Sequence, residues 1–351
     1  MSGGVDSSVA ALLLRRAEHQ LSGVHLRLLR DQEELPDGSR KCCSQADAED
    51  AGLVARRLGM PYYVFDCSGV FRETVMENFI QEYRRGRTPN PCVVCNRAVK
   101  FGALLDRVRT LGGDYLATGH YARTQRDPVS GRYLLKRGLD RRKDQSYFLY
   151  TLTQDQLAHT LFPLGGLDKA QVRQLAEEHG LVNARKQDSQ DICFVPDGDY
   201  AGFIERAWGQ AAPAGDFLDQ EGRRLGRHRG LIRYTLGQHK GLGLSTEEPL
   251  YVLEKDAAAN TIRLGPDSAL WSRTLTAEQG NWIAVPALEG PMAVTVKTRY
   301  SQREAEAVAE PLPGGRFRVT FTEPQRAMTP GQAAVLYDGD TVVGGGVICG
   351  P

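Results

Sequence analysis

Met1-Ser2-Gly3-Gly4-Val5-Asp6-Ser7-Ser8 opens the chain, and a stretch of helical character follows at once. Val9, Leu12, Leu13 and Ala17 recur at helical spacing, the signal of an amphipathic helix. A Gly-Gly turn feeding a helix N-terminus gathers several backbone N–H groups and forms a ready anion site. Asp6 is placed to hold Mg²⁺, and the Ser7 and Ser8 hydroxyls to donate to phosphate oxygens. The same residues also suit a flexible Ser/Gly tail with an Asp N-cap. A phosphate loop of this kind normally hangs from a buried β-strand, and no residues precede this one. The expectation is a start inside the natural frame or a missing first strand, with poor folding of a protein expressed from Met1.

Working outward, the first half reads as α/β. Gly23–Leu28 and Pro61–Phe65 are strand-like, rich in β-branched, aromatic and apolar residues. Between them, Ser44 with Asp47 resembles a capping box, and Ala51, Val54, Ala55 and Leu58 mark one helix face stopped by Gly59. Helical spacing returns at Val75, Phe79 and Ile80, and again at Leu104, Leu105, Val108 and Leu111. Asp114–Ala117 is a further short strand, ending at Thr118-Gly119-His120. Strands alternating with helices predict a parallel sheet whose ligands lie beyond the strand C-termini. From about residue 197 the texture changes to short runs punctuated by Gly and Pro: Leu250–Leu253, Ala293–Val296, Phe317–Phe321 and Ala333–Tyr337. These predict one or two small β-barrels, with a loop-rich connection over Pro213–Gly226.

Composition narrows the classes. The 351 residues carry 44 Lys+Arg against 43 Asp+Glu, a formal charge of +1, with 41% hydrophobic residues. This is globular composition, neither disordered nor fibrous. No apolar run reaches the ~18 residues of a membrane span, and the N-terminus lacks the order of a secretory signal. Seven cysteines is an odd count far below disulfide-scaffold density, so a reduced, cytoplasmic protein is expected. Near-neutrality excludes a histone-like polycation but not a basic patch balanced elsewhere.

Cys92-Val-Val-Cys95 has the spacing of a redox pair, half a metal site, or a structural coincidence. No second such pair exists, and the adjacent Cys42 and Cys43 would chelate Zn²⁺ awkwardly. Cys193 reads either as a buried core thiol or as a reactive one, with Lys186 lowering its pKa and Asp188 and Asp191 opposing. Cys67 and Cys349 follow strand-like runs and read as structural. Basic clusters lie over Arg84–Arg109, Arg137–Lys143 and Arg223–Thr246, the last without an acidic residue. Several in a near-neutral chain favour a charge-separated surface suited to RNA. Tyr234 and His239, inside the last cluster, are candidates for base stacking.

Taken together, Ser2–Ser8, Asn90-Pro-Cys-Val-Val-Cys-Asn96, Ala117-Thr-Gly-His-Tyr-Ala122, Lys143-Asp-Gln-Ser-Tyr-Phe148, Asp188-Ser-Gln-Asp-Ile-Cys-Phe194, Tyr234-Thr-Leu-Gly-Gln238 and Pro330-Gly-Gln332 closely resemble the bacterial tRNA-specific 2-thiouridylases. The resemblance runs nearly end to end. It implies a parallel-sheet ATP-pyrophosphatase domain of the PP-loop, adenine nucleotide alpha hydrolase-like kind over residues 1–196. A central β-rich tRNA-binding domain over 197–270 and a C-terminal β-barrel over 271–351 would follow. The implied sulfurtransferase reaction adenylates C2 of the wobble uridine of tRNAs for Lys, Glu and Gln, then replaces the oxygen with sulfur.

By family position, Ser2, Gly3, Gly4, Val5, Asp6, Ser7, Ser8, Leu26 and Gly119 would contact ATP, with Mg²⁺ offsetting charge. Cys193 would carry sulfur as a persulfide, supplied by a cysteine desulfurase directly or through relay proteins. Cys95 would attack it, leaving a Cys95–Cys193 disulfide. Asn90, Pro91 and Cys92 match the target-base contact, and His120, Lys143, Asp144, Gln145, Arg299, Tyr300 and Gln332 match tRNA contacts.

Two further departures from the family matter. Cys92 stands where many members have Asp, so Cys92, Cys95 and Cys193 form an alternative ligand set for a 4Fe–4S cluster whose fourth iron binds sulfide. His239 replaces a common Arg, which weakens a tRNA contact or moves it to Lys240. Two rival classes remain: a PP-loop synthetase acting on a small metabolite, and a non-catalytic RNA-binding protein. The first leaves the thiols and basic clusters unexplained, the second the nucleotide loop.

Overall fold

The computed structural model describes residues 1–29, 45–188 and 192–350. Cys42, Cys43, Ser44 and Asp191 lie outside the described residues. The chain divides into two compact units. The first comprises Met1–Met76, Pro91–Gly198 and Asp340–Val342; the second comprises Glu77–Asn90, Asp199–Gly339 and Val343–Pro351.

The first unit begins with α1 (Val5–Arg16), β1 (Gly23–Arg27), α2 (Gln45–Arg57), β2 (Tyr62–Asp66) and α3 (Ser68–Phe71). After α4 (Glu77–Arg84), which belongs to the second unit, come α5 (Pro91–Cys95), α6 (Leu105–Thr110), β3 (Leu116–Ala117), β4 (Ala122–Arg126), β5 (Tyr133–Arg137), α7 (Gln154–Ala158), β6 (Thr160–Leu161) and α8 (Lys169–Glu178). Wider π-helical turns cover Arg72–Met76 and Asn96–Leu104. As the α/β reading required, β1 pairs in parallel with β2, Gly23 opposite Tyr62 through Arg27 opposite Asp66. β3 pairs in parallel with β6, and β4 and β5 form an antiparallel hairpin.

Helix α1 buries Val5, Ser8, Val9 and Leu12 on one face, whereas Ala17 is only its C-cap. That face packs with Val54 of α2 and with Val172 and Ala176 of α8. Both α7 and α8 start with capping boxes, Thr153 with Gln156 and Asp168 with Gln171. Each satisfies otherwise orphaned backbone donors and fixes where its helix begins.

The second unit adds α9 (Tyr200–Trp208) and a four-stranded sheet in the order β8-β7-β10-β9, from β7 (Gly215–Leu218), β8 (Arg224–His228), β9 (Tyr251–Asp256) and β10 (Thr261–Gly265). Residues 213–226 therefore contain strand where a loop-rich connection was expected. Gly and charged residues hid a pairing that Phe217 makes possible by filling the core beside Ile262 and Val252. Tyr234 joins that core at 2% exposure, packed edge-on to Phe217 at 5.3 Å, so it is not available for base stacking.

Next comes a six-stranded antiparallel barrel: β11 (Trp271–Trp282), β12 (Met292–Lys297), β13 (Ala305–Leu312), β14 (Arg316–Arg326), β15 (Ala333–Asp338) and β16 (Thr341–Gly350). The order β11-β14-β13-β12-β15-β16 closes through β11 pairing with β16, which removes exposed edges. Phe317, Val319 and Phe321 alternate into its interior. The fold class expected from sequence is the one observed.

Lys255 on β9 donates from Nζ to the Tyr234 carbonyl at 2.8 Å and lies 5.9 Å from the Tyr83 ring centre. Burial pushes its ammonium down to about 8, against roughly 10.4 in an unfolded chain. Between these values the unfolded chain holds a proton that the folded chain lacks, so stability rises with pH across the window. Below about pH 8 the penalty for enclosing the charge is fully present. Lys255→Met is expected to flatten this rise by about 2 kcal/mol, measured as the difference in urea midpoints between wild type and variant at pH 7 and pH 10.

Candidate active site

Gly3 adopts φ +76°, and a Cβ there would lie 2.4 Å from the Asp47 carbonyl oxygen. Only glycine lets the loop cross the start of α2 so closely. Gly4 is the N-cap of the 12-residue α1. Ser7 and Ser8 donate from their hydroxyls to the Gly4 carbonyl at 3.0 and 3.1 Å, and Ser7 Oγ accepts from the Ser2 N–H at 3.1 Å. Asn183, 3% exposed, donates to Gly3 O at 3.0 Å and Ser8 Oγ at 2.8 Å. Its own Oδ1 is buried with no hydrogen-bond partner. Gly119, just past β3, has Asp6 C and Ser7 N each 2.8 Å from where a Cβ would stand. The loop is thus an ordered cradle, not a loose tail, and Leu26 is half-buried near the C-terminal end of β1.

Asp6 is not an open metal ligand. Lys169 Nζ lies 2.7 and 2.9 Å from its two oxygens, and the Tyr121 hydroxyl donates to Oδ1 at 2.8 Å. A Mg²⁺ bound at Asp6 would have to displace that ammonium. Lys186, expected to act on Cys193, is instead held between Asp47 and Asp50, 2.6 Å from each.

Cys95 ends α5 and is buried, while Cys92 on the same short helix is exposed. Burial pushes the Cys95 thiol up, against a smaller opposing effect of the Lys100 charge, so at rest it is protonated. Cys193 is half-buried, and the following Phe194 is fixed edge-on against Phe71 at 5.7 Å. α5 packs on Arg72–Met76, and α3 on Asn96–Leu104. Both thiol-bearing segments therefore lean on the same stretch, 68–76. None of Cys92, Cys95 and Cys193 is in a disulfide. Among the described residues no three His, Cys, Asp or Glu side chains converge as a metal site; the three cysteines do not form a ready ligand set for a cluster.

The other expected contacts divide by burial. Lys143 is accessible and pairs with Asp188 at 2.7 Å. Asp144 is buried, accepting from Gly138 N and from Ser146 N and Oγ, and Gln145 Oε1 accepts from Tyr121 N at 3.0 Å. His120 is buried between Phe101 and Phe162 with Nδ1 2.8 Å from Thr118 Oγ1. Burial, then the Lys100 charge, hold it well below its ordinary pKa, so it is neutral. Asp144 and His120 are thus buried, whereas Lys143 is accessible.

In the second unit, Arg299 donates to Thr329 Oγ1 at 2.7 Å, and Lys297 Nζ lies 5.5 Å from the Tyr300 ring centre. Gln332 donates to the Thr88 carbonyl at 2.7 Å, two residues before Asn90. His239 is exposed beside Tyr251, with ring centres 5.2 Å apart. The 223–246 basic cluster is largely neutralised from outside that window: Arg223 by Asp219 and Glu221, Arg224 by Asp216, and Arg233 by Glu205. A cavity of about 620 Å³ bounded by Arg109, Asp114, Tyr115, Tyr133 and His159 holds none of these groups.

Known proteins match along the whole chain. The profile described as the tRNA methyl transferase HUP domain matches residues 1–197. The tRNA methyl transferase PRC-barrel domain matches 201–266, and the aminomethyltransferase beta-barrel domain 272–348. A tRNA-specific 2-thiouridylase MnmA of Moorella thermoacetica is 51% identical over 348 residues, 99% of this chain and 98% of that protein. The chain belongs to the bacterial tRNA-specific 2-thiouridylase family. Two other relatives of that name, from Geotalea uraniireducens (50% identical; 99% of this chain, 93% of that one) and Thermoanaerobacter sp. strain X514 (48%; 99% and 96%), agree. Within this thiouridylase fold, sequence motifs flagged the loop and the thiols. They gave Tyr121 only as part of the 117–122 motif and did not flag Lys169 or Asn183, which have no local signature and reach the loop only through tertiary packing.

Proposed function

We propose that this chain is a tRNA 2-thiouridylase, an ATP-dependent sulfurtransferase acting on C2 of the wobble uridine of tRNAs for Lys, Glu and Gln. The observation that carries this is full-length identity of about half to proteins of that name. The ordered loop at the start of α1 supports ATP as co-substrate, because its backbone donors and the close approach of Gly119 leave a cradle for anionic oxygens. Lys143, Arg299, Tyr300, Gln332 and the Asn90-Pro91-Cys92 segment would hold the tRNA. The cytoplasm is the expected compartment; among the described residues no helix is long and apolar enough to cross a membrane. The modules follow the division 1–196, 197–270 and 271–351.

The uridine C2 oxygen attacks the α-phosphorus of ATP and pyrophosphate leaves, converting a poor leaving group into AMP. The Cys95 thiolate attacks Cys193 Sγ, the inner sulfur of the persulfide, and the S–S bond to the outer sulfur breaks to release hydrosulfide. Hydrosulfide displaces AMP from C2, and the new Cys95–Cys193 disulfide is reduced by an external dithiol. A desulfurase or relay protein reloads Cys193 with sulfur. Because Cys95 is buried and protonated at rest, tRNA docking must expose and deprotonate it.

The enzyme purified anaerobically, given unmodified tRNA, ATP and a persulfide donor, is expected to release about one AMP per thiouridine formed, with no stoichiometric iron. AMP formation on a metabolite without tRNA would sink the thiouridylase reading. Activity that tracks iron and acid-labile sulfide would sink the persulfide route alone.

A further inference from the structure

Asn183 lies 180 positions from Gly3 yet spends its amide on the loop. Both contacts are made by Nδ2, which donates to the Gly3 carbonyl at 3.0 Å and to Ser8 Oγ at 2.8 Å. Ser8 Oγ passes its own hydrogen to the Gly4 carbonyl at 3.1 Å. One amide therefore holds two successive carbonyls, the first directly and the second through a hydroxyl. Turned over, it would set Oδ1 against the Gly3 carbonyl, acceptor facing acceptor, so the loop fixes its orientation. Among the described residues Oδ1 itself is buried with no hydrogen-bond partner. An unpaired buried acceptor opposes folding, so apolar packing does not explain Asn183. Its neighbours Leu181 and Ala184 belong to that packing, in one cluster with Val5 and Val9.

The amide is held from behind. Two overlapping turns, Ala184 N to Leu181 O at 3.1 Å and Lys186 N to Asn183 O at 3.0 Å, set its backbone. Lys186 ties this turn to Asp47 and Asp50 at 2.6 Å each, and Gly3 crosses closely over the Asp47 carbonyl. Gly3 is thus gripped by the Asp47 backbone and the Asn183 amide, which Lys186 links to each other. The Gly3–Gly4 peptide is trans, and in a trans peptide the N–H points opposite to the C=O. Holding the Gly3 carbonyl on Asn183 therefore turns the Gly4 N–H the other way, where Ser2 Oγ stands at 3.4 Å. That contact is beyond the usual hydrogen-bond range and is easily given up. A carbonyl swung to that side would repel an anion, whereas the N–H attracts one.

We propose that Asn183 is a positioning residue of the nucleotide loop: without touching the nucleotide, it holds the Gly3 and Gly4 carbonyls back so that the Gly4 N–H meets a phosphate oxygen of ATP. This rests on the reading that the loop binds ATP. Serving two acceptors from one atom takes two hydrogens, which the asparagine amide supplies and a methyl, carboxylate or single hydroxyl does not.

The test is equilibrium binding of α,β-methylene ATP, which cannot release pyrophosphate by this reaction, and of adenosine, which has no phosphate. Asn183→Leu keeps the shape of the side chain, suits its apolar neighbours and removes both donors; Asn183→Ala removes the side chain beyond Cβ. Each is expected to weaken binding of the analogue by roughly tenfold or more, the range for hydrogen bonds to charged groups, with adenosine affinity unchanged. Analogue affinity equal to wild type in Asn183→Leu overturns the proposal. An equal loss for adenosine also overturns it, because a merely structural residue would disturb the whole site alike. If Asn183→Ala does not fold, Asn183→Leu carries the same outcomes. Failure of the wild type to bind the analogue would instead reject ATP as the ligand of the loop.

Discussion

Cys193→Ser is expected to lower wobble-uridine thiolation by roughly a thousandfold or more while adenylated tRNA still forms. A serine oxygen cannot carry a transferable sulfur, yet it leaves the loop residues and Lys143 untouched. Cys95→Ser should lose thiolation to a similar degree with a different signature. The half-buried Cys193 remains able to accept sulfur from a desulfurase, so the variant accumulates persulfide that mass spectrometry detects as one added sulfur atom. The asymmetry is what separates the two chemistries. A cluster held by both cysteines predicts that either variant loses bound iron and that neither stores persulfide. Persulfide absent from Cys95→Ser would contradict the assignment of Cys193 as sulfur carrier.

Gly3→Ala is expected to destabilise the first unit by about 3 kcal/mol or more and to weaken ATP binding by over a hundredfold. Two costs coincide there. The backbone is left-handed, and the added carbon would stand 2.4 Å from Asp47 O and 2.7 Å from its Cα, so α2 must move. Gly4 is the control: its φ is −88°, and a Cβ would meet only Ser2 Oγ at 3.5 Å, an ordinary contact. Gly4→Ala should therefore unfold within a few degrees of wild type. Thermal unfolding and nucleotide binding measured on both variants check the pair; equal behaviour of the two would show that the loop does not depend on its crossing with α2.

Much of the first unit was legible locally. Alternating apolar and β-branched residues located β1 and β2 within one residue of their observed ends, and the spacing of Val9 and Leu12 located the buried face of α1. Misreadings arose where burial had no periodic signature. Residues 215–218 are Gly, Asp, Phe and Leu, weak strand formers overall, and they pair because Phe217 seats in a core assembled from β9 and β10. Tyr234 looked like an exposed aromatic among arginines, but the same core claims it. The arginines around it read as unopposed because their partners, Asp216, Asp219 and Glu205, all precede residue 223 in the chain.

The sequence alone determined which chemistry is present. A glycine-rich loop ahead of a helix, two cysteines in the 92–95 pair and one at 193 can be recognised without coordinates, because each depends on near neighbours in the chain. Tertiary structure alone decided which charges meet and which segment belongs where. Lys169 lies 163 positions from Asp6, and no local pattern links them. Residues 77–90 interrupt the first unit in sequence yet join the second, since Tyr83 stacks on Tyr200 at 5.4 Å, Arg84 covers Trp208 and Gln332 binds Thr88. Periodicity records how much of a residue is buried; its partner depends on where the folded chain returns, and only packing settles that.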